Sequence, residues 1–517
     1  MAQRLKIGID VGGTNTDAVL LAGSSIVGSC KVSTTADVTS GVQQAVVTVL
    51  SQTGTSPRDV TAVMVGTTHF LNALVQRKDL ARTGTFRLCG PTGRALPPMV
   101  DWPDDLKAVV DAGAVLEDGG VEFDGRAITP VNEQSIRKQC RLWRDEGVNA
   151  IAVSAVFSSV DASGETTVAS IAAEECPDAH ISLSYQIGQN GLLQRESATI
   201  LNASLQALAR QTVAAFEQAF AALDLQASLY LTQNDGTLMS ADYAVRFPVH
   251  TIASGPTNSM RGASFLTGIT DAAVIDIGGT TTDIGIINAG FPRVRSEGAV
   301  IAGVRTNFRM PDVLSLALGG GSKVQQQPQL AIGPESVGYR LAEESLCFGG
   351  GTLTATDIAV ARGSVALGDA SRVKHLDGDF LSHTQTLINS QIASTVDSMK
   401  LSAGAIPAIL VGGGACLVDG ELDGVSEVLV PEHAGAANAI GAAIAQVSGE
   451  ADCIVSLDQT SRDNAIAETR AVATQKAVDA GADQSSIVTA DIVESPLAYL
   501  PGNAVRMMVK VVGDLAS

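Results

Sequence analysis

Two aspartates set the chemistry this chain can do. Asp10 ends an apolar run and is followed by Gly12, Gly13, Thr14, Asn15 and Thr16, with Asp17 next. Asp276 ends a second run and is followed by Gly278, Gly279, Thr280 and Thr281, with Asp283 two places on. The segments IGIDVGGTNTDAVLL (7–21) and AVIDIGGTTTDIGII (273–287) lie 266 positions apart and share Ile, Asp, Gly, Gly, Thr, Thr and Asp at matching places. A carboxylate at a strand end can hold a hydrated Mg2+. Paired glycines let the backbone turn sharply and present bare N–H groups, which with Thr hydroxyls can cradle phosphate.

The elements that must position these groups follow from the pattern. Each copy reads as strand, Gly turn, strand, and so as a hairpin. A P-loop is excluded, because its Lys is missing and no helix follows. A dinucleotide fingerprint is excluded, because a strand comes next rather than a helix. An ordinary buried hairpin would explain one copy. Two copies, each with its aspartate, argue for a shared task in two similar halves.

Other candidates are spread along the chain. After a strand at 62–65, Gly66, Thr67, Thr68 and His69 open a helix at 71–76. Thr67 or Thr68 could cap that helix or face a nucleotide. Residues 85–122 hold Pro91, Pro97, Pro98, Pro103 and Trp102, and read as an irregular insertion containing Arg94, an anion clamp or a surface residue. An α/β rhythm then resumes to the helix 192–210, whose Ala198, Ala203, Ser204 and Ala207 give small faces. The second half starts near Leu229. Residues 298–372 are Gly-rich. A strand at 408–411 meets Gly412, Gly413 and Gly414, where an adenine ring could lie against bare backbone. The Ala/Gly-rich segment 433–447 reads as a helix and as the partner of the small-faced helix near Asn202.

The expected organisation is a domain at 1–210 with an insertion at about 85–130, a domain at 211–450 with a Gly-rich insertion at about 298–372, and a small α+β unit at 451–517. That unit holds a helix (461–480) and two strands (486–492 and 504–512). A net charge of −20 argues against nucleic acid and anionic membranes as partners. The seven Cys are scattered with no C-x-x-C, and no signal peptide opens the chain, so a reducing, cytoplasmic setting is expected. No apolar run is long enough to span a bilayer.

Phosphate hairpin, small-faced helix, phosphate hairpin, strand with Gly triplet and small-faced helix stand in one order. This resembles the actin, hexokinase and heat-shock ATPase superfamily, in which two ribonuclease-H-like domains close on ATP. Within it, the chain resembles the hydantoinase A / 5-oxoprolinase family through IGIDVGGTNTDAVL, GTTHFLNALVQR, RESATILNA, QNDGTLMS, PVHTIASGP, VIDIGGTTTDIG, GGGS, GPESVG with TATD, VGGGA and HAGAANAIGAAIA. Two stretches depart from that pattern: CGPTGRALPPMVDWPDDL after the GTT segment, and residues 339–348 where a PGPACYG-like segment is common.

The resemblance implies an α/β fold of two such domains around a nucleotide cleft, and an enzyme using ATP and Mg2+, with a second metal as an option. It implies phosphorylation of the oxygen of a cyclic amide or imide, such as a hydantoin or a 5-oxoproline-like lactam, or of a ketone in the carboxylase relatives. A hydantoinase B-like companion subunit would complete hydrolysis, and a homo-oligomer is expected. The implied roles are metal binding by Asp10, Asp276 and Asp283, and phosphate binding by Gly12, Gly13, Thr14, Asn15, Thr16, Gly278, Gly279, Thr280 and Thr281. Gly412, Gly413 and Gly414 line the adenosine side. Glu196, Asn202 and His69 are candidate catalytic groups, and His433 a candidate acid–base group or metal ligand. Asp17 and Asp283 could equally bond their own turns. The rival readings are a small-molecule kinase with a stable phosphoproduct and a nucleotide-switched binding or reactivating protein.

Overall fold

A computed structural model describes residues 5–12, 15–33, 38–188, 191–295, 298–307, 310–326, 329–498 and 500–516. Gly13 and Thr14 lie outside the described residues.

The chain opens with strands β1 (Leu5–Val11), β2 (Asn15–Ala22) and β3 (Ser25–Ser33), helix α1 (Val38–Thr53), β4 (Val60–Thr67) and α2 (His69–Gln76). Strands β5 (Thr83–Leu88), β6 (Asp111–Glu117), β7 (Ala150–Ala155) and β8 (His180–Leu183) follow, then the long helix α3 (Leu192–Ala222), β9 (Ser228–Thr232) and β10 (Thr237–Ser240). Helix α4 (Ser254–Thr267) leads into β11 (Ala272–Ile277), β12 (Thr282–Asn288) and β13 (Phe291–Pro292). Later come β14 (Ile406–Val411), β15 (Val425–Leu429), α5 (Ala437–Ala443), β16 (Gln446–Ser456), α6 (Arg462–Asp479), β17 (Val488–Pro496) and β18 (Ala504–Gly513).

Two sheets share one topology. In the first, β3-β2-β1-β4-β9 has antiparallel β1–β2 and β2–β3 pairs and parallel β1–β4 and β4–β9 pairs. In the second, β13-β12-β11-β14-β15 repeats that order with the same directions. This is the ribonuclease-H-like arrangement, twice. Strands β1 and β11 are central, so they read as near-continuous apolar runs, and each is capped by its aspartate.

Three expectations about the elements differ from the structure. The stretch 85–130 is not irregular: it contains most of β5 and all of β6, in a four-stranded parallel sheet of order β6-β5-β7-β8. Pro91, Pro97, Pro98 and Pro103 lie in the connection between those two strands and at the start of a short helix, Asp104–Val110, so they leave the strand ladders intact. Trp143 packs its ring edge-on to Phe86 at 4.7 Å in the core of this sheet.

Residues 451–517 do not fold apart. β16 pairs with β10, β18 with β16 and β17 with β18, extending the first sheet to nine strands. Helix α6 covers the added strands, with Ala465, Ala473 and Ala477 buried against Val509 and Val511.

The Ala/Gly-rich helix does not partner α3. It is α5, only seven residues long, and it crosses α4. A Cβ at Gly441 would collide with the carbonyl of Asn258, and one at Gly262 with that of Ala437. Helix α5 also lies on β1, where Gly8 leaves room for Ala439 and Ala443. Helix α4, which follows the first sheet in sequence, packs Met260 and Ala263 on the second. Each half thus lends one small-faced helix to the junction. The small residues of α3 instead let it bury against the inserted sheet and the first core, with Ala198, Ala203 and Ser204 fully enclosed. Among the described residues, no helix is long and apolar enough to cross a membrane.

Candidate functional site

The two hairpins are built alike. Gly12 N–H donates to Asn15 O at 3.0 Å, and Gly278 N–H donates to Thr281 O at 2.9 Å. Antiparallel register then sets Asp10 opposite Asp17 and Asp276 opposite Asp283, so each hairpin carries a carboxylate pair at its mouth. Strand alternation turns Thr16 and Thr282 inward, both fully buried, with the Thr282 hydroxyl on Leu318 O at 2.6 Å. Thr16 is therefore not a phosphate contact through its side chain, contrary to expectation. Gly279, Thr280 and Thr281 are exposed on the second turn, and Gly12, Asn15 and Gly278 are half-buried.

Helices α4 and α5 bring the hairpins together. Burial, then the charges of Asp17 and Asp276, raises the Asp10 carboxyl to about 7. Burial raises Asp17 and Asp276 as well, and raises Asp283 to about 6. Lys31 offsets this, with its ammonium 2.5 Å from Asp17 Oδ1. Asn438 of α5 donates to Asp276 Oδ2 at 3.5 Å and also bonds Asp10. Ser259 of α4 bonds Asp276. Asn258 Nδ2 reaches Thr232 Oγ1 at 2.9 Å, close to Gly66.

Two side-chain oxygens at this junction, Asn438 Oδ1 and Asn258 Oδ1, are buried without a hydrogen-bond partner among the described residues. Crowded carboxylates beside unsatisfied oxygens are a donor set suited to a hard, hydrated cation. Among the described residues, however, no three His, Cys, Asp or Glu side chains converge as a metal cluster. The three aspartates expected as a metal set do not gather as one.

The Gly-rich segments clasp the second hairpin. Gly320 N–H donates to Gly278 O at 3.0 Å, Gly321 N–H to Gly279 O at 2.7 Å, and Gly414 N–H to Ile277 O at 2.7 Å. Gly412 sits at φ +84°, against Asp276 and Ile277, where no side chain fits. Gly413 faces open space. The TATD segment is structural: Thr354 and Asp357 form a capping box, and Asp357 also accepts from Ser345 Oγ at 2.8 Å and Cys347 N at 2.7 Å.

The remaining candidates have other partners. Glu196 forms a buried ion pair with Arg87 of β5, with Arg87 Nε to Oε2 at 2.7 Å, and accepts from Ser154 Oγ of β7 at 2.8 Å. It ties α3 to the inserted sheet. Asn202 donates to Ser182 Oγ at 3.0 Å and Arg246 O at 2.8 Å. His69 opens α2, two residues after Thr67, which pairs with Val11 at the β1 end. Its N–H meets Thr67 Oγ1 at 3.1 Å, and burial lowers its ring's pKa. Thr68, at the N-cap, makes no side-chain cap bond, whereas Thr67 Oγ1 takes the first N–H of α2. His433 takes a left-handed conformation just before α5, and Arg94 makes a surface ion pair with Asp118. Asn438, Asn258, Ser259 and Lys31 were missed from sequence. Only the isolation of Asn438 within an Ala/Gly run was a signal.

The family model for the hydantoinase/oxoprolinase N-terminal region matches residues 6–176, and that for hydantoinase/oxoprolinase matches 195–371. The chain is 26% identical over 392 residues to the acetophenone carboxylase gamma subunit of Aromatoleum aromaticum, covering 69% of this chain and 53% of that one. It is 24% identical over 497 residues to the caprolactamase subunit alpha of Pseudomonas jessenii, covering 86% and 71%. The chain thus spans about half the length of the first relative. The crystal structure of the ATP-dependent caprolactamase from Pseudomonas jessenii superposes with a TM-score of 0.77 at 20% identity, covering 99% of this chain and 88% of that one, which shows a common fold. With two family models covering most of its length, and with the paired hairpins that they span, the chain belongs to the hydantoinase/oxoprolinase family.

Proposed function

We propose that this chain binds ATP between its two hairpins and uses it to activate a cyclic amide or imide for ring opening. The observation that carries the reading is the pair of like-built turns with Asp276 close enough to raise the proton affinity of Asp10. The relatives named as an ATP-dependent caprolactamase and a carboxylase subunit support the use of ATP on a carbonyl compound.

An amide carbonyl is a poor electrophile and an imidate phosphate a good one. The amide oxygen attacks the γ-phosphorus and ADP leaves. A first water then adds to the activated carbon and the C–N bond breaks, freeing the amine and leaving an acyl phosphate. A second water attacks the acyl carbon, and phosphate departs with the original carbonyl oxygen. In this reading the Gly12 and Gly278 N–H bonds close the two turns, and the Gly279 amide with the Thr280 and Thr281 hydroxyls positions the phosphates. Gly413 leaves the adenosine side open.

Asp10, Asp276 and the unsatisfied Asn438 oxygen fit a hydrated Mg2+, which when bound neutralises phosphate charge. Glu196 and Asn202 are positioning residues for α3. Because relatives are named as subunits, we place the water steps with a companion chain.

The test is phosphate release from ATP with a panel of hydantoins, lactams and ketones. Stimulation by an amide ring supports the reading. Stimulation only by ketones, or a lasting phosphoproduct, contradicts it.

A further inference from the structure

The two hairpins match in their own strands and differ in the strand beside them. Register sets Asp10 opposite Asp17, and Asp17 opposite Lys31 on β3. In the second sheet it sets Asp276 opposite Asp283, and Asp283 opposite Ser315 on the strand Val313–Leu316. Each sheet thus carries a row of three side chains across three antiparallel strands. The first row reads carboxylate, carboxylate, ammonium. The second reads carboxylate, carboxylate, hydroxyl.

Strand alternation aims both rows at the junction of the halves. On β2, Ala18 and Leu20 enter the first core, while Val19 and Leu21 pack on α5. Asp17 shares the face of Val19 and Leu21. On β3, Cys30 and Val32 pack on the first core, which turns Lys31 to the face of Asp17. In the second sheet, Ile284 enters the core of its own half, while Ile287 packs with Met260 of α4. Asp283 shares the face of Ile287.

Lys31 is held at one end and open at the other. Its ammonium lies 2.5 Å from Asp17 Oδ1 and 2.6 Å from Oδ2. The Lys31 side chain is 44% exposed and that of Asp17 only 11%, so the acid is fixed and the lysine stem has room to swing. The Lys31 charge also reaches across the junction, lowering the proton affinity of both Asp10 and Asp276. Ser315 donates to Asp283 and brings no charge. Of the six side chains in the two rows, Lys31 is the one cation.

We propose that Lys31 is a phosphate-binding residue, which pairs with Asp17 in the free chain and turns to the terminal phosphate of a bound nucleoside triphosphate. A phosphate oxygen offers the ammonium a charged acceptor equal to the carboxylate that it leaves. Asp17, once released, joins Asp10 as a carboxylate open to the nucleotide's cation. Lys31 moves no proton and forms no bond to phosphorus; it neutralises charge on the phosphoryl group. The inference rests on the reading that ATP binds between the hairpins, and it assigns the terminal phosphate to the first of them.

The experiment is calorimetric titration of the full chain, in Mg2+, with ADP and with the non-hydrolysable triphosphate adenylyl imidodiphosphate. Lys31→Met removes the charge and keeps the stem. It is expected to weaken the triphosphate at least about tenfold more than ADP. Lys31→Arg keeps the charge and is expected to stay within about threefold of the wild type for both. A difference between the two nucleotides below about threefold in Lys31→Met makes Lys31 a partner of Asp17 alone and overturns the proposal. The same contact is read in the wild-type chain by NMR after reductive methylation of its lysines, which keeps their charge. The Lys31 signal, assigned by its loss in Lys31→Arg, is expected to move with the triphosphate and stay with ADP. A Lys31 signal indifferent to the triphosphate also overturns the proposal, whether or not Lys31→Met folds. If neither nucleotide binds the wild type, the ATP reading fails and the proposal with it. If amide rings raise phosphate release while Lys31→Met binds both nucleotides as the wild type does, the proposal fails and the reading stands. If the nucleotides separate as expected yet no amide ring raises phosphate release, amide activation fails and the role of Lys31 stands.

Discussion

Asp10 and Asp276 are costly residues to keep. Each is buried among other carboxylates, and burial is the first cause of the raised affinity for a proton. In the proposed function these carboxylates are the groups that meet the nucleotide's cation. Asp10→Ala or Asp276→Ala should lower nucleotide turnover by at least about a hundredfold while leaving the fold intact, since the change removes repulsion. Steady-state phosphate release with a thermal melt checks both halves of that statement. Glu196 should behave in the opposite way. Glu196→Gln leaves the Arg87 guanidinium buried without its counter-charge, a loss of about 3–5 kcal/mol of stability, with turnover per folded molecule retained. Full stability with lost turnover would return Glu196 to the chemistry.

At this scale the sequence was informative where a motif is contiguous. The Asp-x-Gly-Gly turn carries its own geometry. The two asparagines and Ser259 were hidden, because their contacts exist only once α4 and α5 cross. Thr16 misled because the turn ends one residue before it and strand alternation takes over.

The elements explain how two distant hairpins come to face each other. Gly441 and Gly262 let α4 and α5 touch backbone to backbone, so the junction has little slack. Gly441→Val should force the helices apart and cost about 1–3 kcal/mol or more, with a fall in nucleotide affinity that is read by titrating a fluorescent ATP analogue. Unchanged affinity would mean that this crossing does not set the site. The turn after β9 is a second such element. Lys510 on β18 holds the Asp235 carboxyl down to about 2, below its ordinary 3.8. A depressed carboxyl stabilises the fold above about pH 4 and loses that contribution as pH falls toward 2. Asp235→Asn should therefore cost about 2 kcal/mol at neutral pH, and the difference should shrink toward zero in acid. Denaturant melts across pH check this.

Helices and hairpins were legible from apolar spacing and turn glycines. The partner of the Ala/Gly helix was not, because small residues on α3 and α4 look alike in sequence and only the sheets decide which one meets α5.

At the scale of the whole molecule, one five-strand plan is used twice, and each copy supports one hairpin. The duplication was visible in the repeated segment, and so was the fold class. The additions were less so. The inserted sheet begins in a proline-rich stretch whose breaks fall between its strands. The C-terminal strands look like a separate unit until their hydrogen bonds are traced to β10.

The central claim is that ATP is used to phosphorylate the oxygen of a cyclic amide. The most direct measurement follows a lactam labelled at its carbonyl with the heavy oxygen isotope through a full turnover with ATP and the companion chain, with mass analysis of the released phosphate. The account predicts that the label appears in the phosphate. Unlabelled phosphate released in step with ring opening would contradict it.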